Sequence, residues 1–360
     1  MTTIIGDPHS LLQLCGELAQ QPAIGLDTEF MRERTYFARL CLLQLSHATR
    51  SVCVDTLALS DLSPLRTLMS DRRIAKVLHA ARQDLEVLTP ATGPLVGLFD
   101  TQVAAALIGL PAQIGYGDLV HQLLGTTLHK AETRTDWSRR PLTNAQVAYA
   151  LDDVNHLLPL RERLSERLHA LARWPWFEEE MAPLDNAGPF VTDPEQAWKR
   201  IRGVSELDAA RQALARLLAA WRERRAIDSD RPRSWILPDA ALRDLVLYVP
   251  RTTQQLARIE ELPEGIRHGS GQELLNLIQQ AQLPLQLPAL PRRQRREPEQ
   301  NELVRKLTQL TQQTGRELGI APEILATRRE LERLVAGVRE GGPMSGWRQA
   351  VIGQRLLQAL

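Results

Sequence analysis

An apolar run that ends on two carboxylates constrains this chain more than any other segment. Ala23-Ile24-Gly25-Leu26 leads directly into Asp27-Thr28-Glu29-Phe30. A short apolar stretch of this kind reads as a buried strand. Successive side chains on a strand point to opposite faces, so Asp27 and Glu29 share one face and Leu26, Thr28 and Phe30 take the other. Two carboxylates side by side repel each other unless a cation lies between them. The segment is therefore either a polar strand edge facing water or part of a cation site.

Two further segments bear on that choice. Ile74–His79 is a second strand-like run, and Ala80–Leu88 continues it with helical spacing of Ala81, Leu85 and Leu88. Asp84 falls in the first turns of that helix, where the helix dipole favours an acid whether or not it binds anything. Further on, Thr143 and Gln146 have the spacing of a capping box at the start of a helix reaching Leu158. Tyr149 and Asp153 stand four residues apart on one face of that helix. Asp152 lies about 100° around it, so spacing selects Asp153. Taken alone, Tyr149 reads equally well as a core tyrosine with a bonded hydroxyl.

As a set, DTEF, HAARQDLEVL and YALDD resemble the DEDD 3′→5′ exonucleases, in the subgroup with tyrosine in the third motif. The longer stretches DTEFMRERTYFARLCLLQLS, FDTQVAAALIG and TDWSRRPLTNAQVAYALDDV are similar to the ribonuclease D family of bacteria. None of the four acids or the tyrosine departs from the family pattern. The resemblance implies a catalytic site of Asp27, Glu29, Asp84, Tyr149 and Asp153 holding two divalent cations, Mg²⁺ or Mn²⁺. Asp27 would bridge both ions, Glu29 and Asp153 would complete the shell of the first, and Asp84 would serve the second. Tyr149 would position the attacking water. Oxygen donors suit these hard ions, and an ion pair about 4 Å apart can stabilise both oxygens of an in-line displacement. The expected products are nucleoside 5′-monophosphates. The expected substrate is RNA with a single-stranded 3′ end, such as a tRNA precursor. A DNA-directed exonuclease and a catalytically dead RNA-binding adaptor are the alternatives.

The candidates for holding substrate are Phe30 and Met31, which follow the first motif, with Arg34, Arg82, Gln83, Arg139 and Arg140 as nearby polar groups. Arg32 and Lys130 are further cations in the same half. Trp137 is expected to pack the loop before the third motif. Asp100 is expected to cap a helix, and Glu33, Asp55, Asp118 and Asp136 to be structural.

The second half reads as all-helical. A stretch rich in Trp, Pro and Glu near 173–183 breaks the preceding pattern. From about 193 to 282 the order of turns and helix starts, including Leu207–Arg225, Asp239 and Gln272, resembles an HRDC domain. The Pro- and Arg-rich 284–299 reads as a linker containing Arg292, Arg293, Arg295 and Arg296. Residues 300–360 resemble a second HRDC-like helical domain. The expected architecture is a ribonuclease H-like α/β catalytic domain over 1–190, with a mixed five-stranded sheet, followed by two all-α HRDC-type domains. The resemblance also implies a central opening that admits a single strand.

Charge divides unevenly along the chain. Residues 1–190 carry a formal −5 and 191–360 a formal +6. The half with the candidate cation site is thus the acidic one, and the basic half is suited to a polyanion. The cysteines, Cys15, Cys41 and Cys53, lack metal-ligand spacing and read as reduced thiols. No apolar run approaches the length of a membrane span, and the N-terminus lacks a secretory pattern. A monomeric cytoplasmic protein is expected.

Overall fold

In the computed structural model the described residues are 3–128, 135–185, 193–281 and 298–360. They fall into two compact units. The first comprises Met1–Met31, Leu40–Phe190 and Glu297–Leu360, and the second Arg32–Arg39 and Val191–Arg296. Lys130 and the arginines of the expected 284–299 linker lie outside the described residues.

The first unit is built on a six-stranded sheet in the order β1-β4-β3-β2-β5-β6. The strands are Ile4–Ile5 (β1), Ala23–Met31 (β2), Arg39–His47 (β3), Arg50–Val54 (β4), Ala75–Leu78 (β5) and Leu98–Asp100 (β6). β1 runs parallel to β4, β2 to β5 and β5 to β6, while β3 and β4 are antiparallel, so the sheet is mixed. It has one strand more than expected. β6 is three residues long, too short to show the alternation that marks a strand.

Alternation along β2 divides the core. Ile24 and Leu26 join a cluster with helices Pro8–Leu18 (α1), Pro64–Ser70 (α2) and Arg82–Thr92 (α3) on one face. Ala23 joins the cluster on the other face. There it meets Thr101–Leu107 (α4), Tyr116–Leu124 (α5), Leu157–Ala170 (α7) and Trp174–Asp185 (α8). Asn144–Asn155 (α6) leads into α7. Local signals start these helices as read from sequence. Asp7 caps α1 by accepting from the Ser10 amide at 2.9 Å. Thr143 and Gln146 form the reciprocal capping box of α6.

The stretch near 173–183 is not a break. It is α8, and it buries Phe177 and Met181. The helices after residue 297, among them Pro298–Leu318, share the core of the first unit through Leu307, Leu331, Trp347 and Leu356. Trp347 stacks on Trp176 at 4.4 Å, and its ring nitrogen donates to Glu180 at 2.7 Å. Arg348 donates to the same carboxylate at 2.5 Å.

Apart from the Arg32–Arg39 segment, the regular elements of the second unit are helical among the described residues. Its core surrounds Ala209–Asp228 and includes Leu214, Leu218, Leu242, Leu245 and Leu274. The surrounding helices include Asp239–Tyr248 and Gly271–Ala281.

Gly25 sets how closely the helices approach β2. A Cβ at this position would lie 2.3 Å from Ser46 Oγ and 3.2 Å from Leu157 Cδ1. Ser46 in turn donates to the Val154 carbonyl at 2.9 Å, tying β3 to the C-terminal turn of α6. Overpacking at such a contact costs about 1–3 kcal/mol. We expect Gly25→Ala to lower stability in denaturant unfolding by about that amount. The matched control is Gly16→Ala on α1, where an added methyl meets nothing within 4 Å; it should be neutral or slightly stabilising. Equal midpoints for the two variants would show that the Gly25 contact is not tight.

Candidate active site

Asp27 and Glu29 project from β2 on the face that α6 and α7 cover, two positions along from Gly25. Asp153 meets them from the last turns of α6. One oxygen from each of the three carboxylates lies within 4.8 Å of the others. Among the described residues this is the one group of three or more His, Cys, Asp or Glu side chains close enough to share an ion.

Asp84 approaches from the other face of the sheet, on α3. It is buried and accepts a 2.5 Å hydrogen bond from Thr28 Oγ1, the side chain between the two acids of β2. It stands outside the group of three but close enough for its charge to act on Asp27 and Glu29. Its helix is placed by Asp100. This buried carboxylate accepts from the amides of Ala80 at 3.0 Å and Ala81 at 2.8 Å, as well as capping α4 through Gln102 at 2.8 Å. Ala80 is held at φ 58°, a left-handed conformation unusual for alanine. The sequence marks Asp100 as a helix cap but not as the support of the turn that carries Asp84.

Tyr149 lies one turn before Asp153, and their side chains are hydrogen-bonded. Its ring faces Trp137 at 6.2 Å, and Trp137 is buried in the cluster that also takes Cys41, Cys53 and Ala150. The packing role expected of Trp137 is the one it has. Tyr116 is a further support that the motifs do not reveal. Its hydroxyl donates to the Asp152 carbonyl at 3.2 Å and accepts from the His156 amide at 3.2 Å, bracketing Asp153.

The electrostatics follow from burial and crowding. Desolvation, then the charges of Asp84, Asp153 and Glu29, push Asp27 well above the usual carboxylate range. Burial followed by Asp153 and Asp84 raises Glu29 to about 8. Burial and Asp152 raise Asp153 to about 7. Burial raises Asp84 to about 6 although the Thr28 hydroxyl opposes it. Burial and Asp153 raise Tyr149 to about 12, so its hydroxyl stays protonated at neutral pH. A cluster of oxygen donors that repel one another fits a hard divalent cation, which would offset this repulsion.

The substrate candidates separate by environment. Met31 is half-buried against the cluster beneath Tyr149, and Phe30 is half-buried. Arg82 and Gln83 are exposed at the start of α3. Arg139 is exposed with an ion pair to Asp136 at 3.5 Å. Arg34 lies in the Arg32–Arg39 segment that belongs to the second unit. Arg140 is committed elsewhere. Its Nε and one terminal nitrogen grip Asp55 at 2.6 and 2.7 Å, and its remaining donors reach the carbonyls of Trp137, Arg139 and Cys41. It is a structural arginine, and Asp55 is its partner.

Comparison with known proteins agrees with this geometry. A family model described as 3′-5′ exonuclease matches residues 2–169, and an HRDC domain model matches residues 211–278. A ribonuclease D of Pseudomonas paraeruginosa is 39% identical, over 99% of this chain and 96% of its own. That of Granulibacter bethesdensis is 38% identical, over 99% and 91% respectively. The crystal structure of Escherichia coli RNase D, described as an exoribonuclease involved in structured RNA processing, superposes with a TM-score of 0.88. It is 33% identical, and the match covers 100% of this chain and 99% of that one. The chain belongs to the ribonuclease D family. Its first unit accordingly holds the metal-dependent 3′→5′ exonuclease domain in a ribonuclease H-like fold, and its second the HRDC region. The catalytic core of RRP6 from Trypanosoma brucei, 23% identical with a TM-score of 0.60, shares the fold. Among the described residues no helix is long and apolar enough to cross a membrane.

The raised carboxylates make a pH prediction for the metal-free chain. An acid whose folded pKa exceeds its unfolded value binds more protons in the folded state. Its contribution to stability is full below the unfolded pKa and is lost as pH rises through the folded value. With Asp84, Asp153 and Glu29 at about 6, 7 and 8, the window runs from about pH 4 to 8. We expect stability in EDTA to fall across this window by roughly 1.4 kcal/mol per pH unit for each proton released. Asp27→Asn should flatten the slope, and so should added Mg²⁺ or Mn²⁺. Denaturant melts at several pH values would measure this, and identical slopes for both chains would contradict it.

Proposed function

We propose that this chain hydrolyses RNA one nucleotide at a time from a single-stranded 3′ end, releasing nucleoside 5′-monophosphates. The observation that carries the reading is the convergence of Asp27, Glu29 and Asp153 within 4.8 Å in a chain of the ribonuclease D family. In our reading Asp27, Glu29, Asp84 and Asp153 would hold two divalent cations, Mg²⁺ or Mn²⁺. Bound there, these ions would supply Lewis-acid stabilisation of the attacking and leaving oxygens.

The chain's own groups would perform the rest. Tyr149, with its hydroxyl protonated and bonded to Asp153, would orient the attacking water by hydrogen bonding instead of removing its proton. Thr28 would hold one oxygen of Asp84 in place. Phe30 and Met31 would lie against the terminal bases, and Arg34, Arg82, Gln83 and Arg139 would contact phosphates or sugars. Arg140 has no part in this set.

Structured RNAs, tRNA precursors among them, are the substrates we favour, because the E. coli relative is described as acting in structured RNA processing. We also propose a division of the sequence into a catalytic module at 1–190, an HRDC module at 193–283, a linker at 284–299 and a second HRDC-like module at 300–360. A monomer acting in the cytoplasm completes the reading.

The test is a time course on 5′-labelled RNA with a single-stranded 3′ tail, beside DNA of the same sequence, with Mg²⁺, Mn²⁺ or EDTA. A ladder that shortens from the 3′ end of RNA only, and stops in EDTA, is expected. Asp27→Ala and Asp153→Ala should each lower the rate by roughly 10²–10³-fold or more while the far-UV spectrum stays unchanged. Near-wild-type rates in either variant would remove that residue from the site. Equal cutting of DNA would make the chain a general 3′ exonuclease.

A further inference from the structure

The segment that joins β2 to β3, Arg32–Arg39, is counted with the helical second unit and not with the sheet. Tyr36 accounts for this. Its hydroxyl donates to Glu223 at 2.5 Å and accepts from an Arg233 terminal nitrogen at 3.0 Å. Arg233 grips the same carboxylate through two nitrogens, each at 2.6 Å, and its guanidinium lies 4.5 Å over the Tyr36 ring. Asp230 accepts from the amides of both Tyr36 and Phe37 at 3.0 Å. The Glu223 side chain is only 1% exposed. Burial pushes its carboxyl up, but the bonds from Arg233 and Tyr36 outweigh burial and hold it below the usual range. The loop is therefore fastened at a buried, fully engaged charge.

A cavity of about 530 Å³ opens beside this clamp, lined entirely by residues of the second unit. Four arginines line it, Arg32, Arg200, Arg222 and Arg233, against Glu33, Glu223 and Asp239. Two of the acids are already engaged, Glu223 by Arg233 and Asp239 by Arg222, each at 2.6 Å. Arg222 is 4% exposed, and its Nε is buried without an acceptor. Arg200 is exposed, its charge acts on Glu223, and its side chain makes no hydrogen bond among the described residues. The lining thus has four arginines against three acids, and the Arg222 Nε and the Arg200 side chain have no hydrogen-bond acceptor among the described residues. Its loop wall begins at Arg32, three residues after Glu29 in the sequence.

We infer that this cavity binds a phosphodiester of the RNA tail, with Arg200 as its principal contact and Glu33 as a repulsive neighbour. The site rests on the exoribonuclease reading for the identity of its ligand. Guanidinium groups suit phosphate oxygens because they donate in pairs and stay charged. The clamp at Tyr36 fixes the wall that carries Arg32 and Glu33.

The test uses the full chain, a fluorescent single-stranded RNA and EDTA to prevent turnover, with Kd measured across a salt series. Arg200→Gln should weaken binding about fivefold and reduce the slope of log Kd against log salt by about 0.7. Glu33→Gln should act in the opposite direction, tightening binding about twofold. Both side chains are exposed, so neither change threatens folding. Arg258→Gln, an exposed arginine outside the cavity lining, is the control and should leave Kd unchanged. The proposal is overturned if Arg200→Gln binds as wild type, if Glu33→Gln also weakens binding, or if Arg258→Gln loses as much as Arg200→Gln. Hydrolysis of the same RNA by the unaltered chain with Mn²⁺ is followed in parallel. Its absence would count against the exoribonuclease reading, whichever way Kd moves.

Discussion

Mutual repulsion among Asp27, Glu29 and Asp153 is the constraint that the rest of this structure is arranged to withstand. Three carboxylates within 4.8 Å, largely removed from water, oppose folding when no cation is bound. The surrounding fold must therefore hold them by force of packing. β2 does this for Asp27 and Glu29, because Ile24 and Leu26 anchor the strand in one core and Ala23 in the other. α6 and α7 do it for Asp153, because Gly25 lets Leu157 and Ser46 close over the strand. The same packing that makes the site costly when empty makes it preorganised for a cation, which need not gather its ligands.

Asp84 enters by a different route, and the difference is informative. It lies on the opposite face of β2 from the three clustered acids, held by Thr28. The strand's alternation thus places Asp27 and Glu29 on one side and Thr28 on the other, and Thr28 ties the fourth acid to the same segment. Asp100 supports this from behind. Its carboxylate accepts four backbone amides, at Ala80, Ala81, Gln102 and Val103. A buried acid with several amide donors is well compensated. It can therefore hold the left-handed turn at Ala80 that aims α3.

What the sequence reveals and what it hides divide along the range of the interaction. The β2 strand, the capping box at Thr143 and Gln146, the Asp7 cap and the pairing of Tyr149 with Asp153 all depend on neighbours within a few residues. Each leaves a local periodicity or spacing that can be read directly. The clamp of Tyr36 on Glu223 and Arg233 joins positions 187 and 197 residues apart. Nothing local to Tyr36 announces it, although a tyrosine in a polar, arginine-rich loop is a residue whose hydroxyl needs a partner. The role of Arg140 is hidden in the same way. Asp55 is 85 residues away, so the arginine reads from sequence as a candidate for substrate contact. The helices after residue 297 read from sequence as a separate HRDC-like domain because their own periodicity is complete. Only the shared burial of Leu307, Leu331 and Trp347 with the sheet's helices shows that they close its core.

The Arg140–Asp55 pair also explains how α6 chooses between two adjacent acids. Asp152 and Asp153 differ by one residue, about 100° around the helix axis. The register at which α6 begins therefore decides which carboxylate faces Asp27. Arg140 fixes the chain just before that start by binding Asp55 on one side and the Trp137, Arg139 and Cys41 carbonyls on the other. Thr143 and Gln146 then lock the first turn. At the far end Tyr116 binds the Asp152 carbonyl and the His156 amide, and Ser46 binds the Val154 carbonyl. With both ends pinned, the helix cannot rotate to exchange the two acids. Asp152 is left to raise the pKa of its neighbour, while Asp153 and Tyr149 face the site. A ligand set that seems to rest on a few acids rests as much on the neutral and basic groups that hold one helix in register.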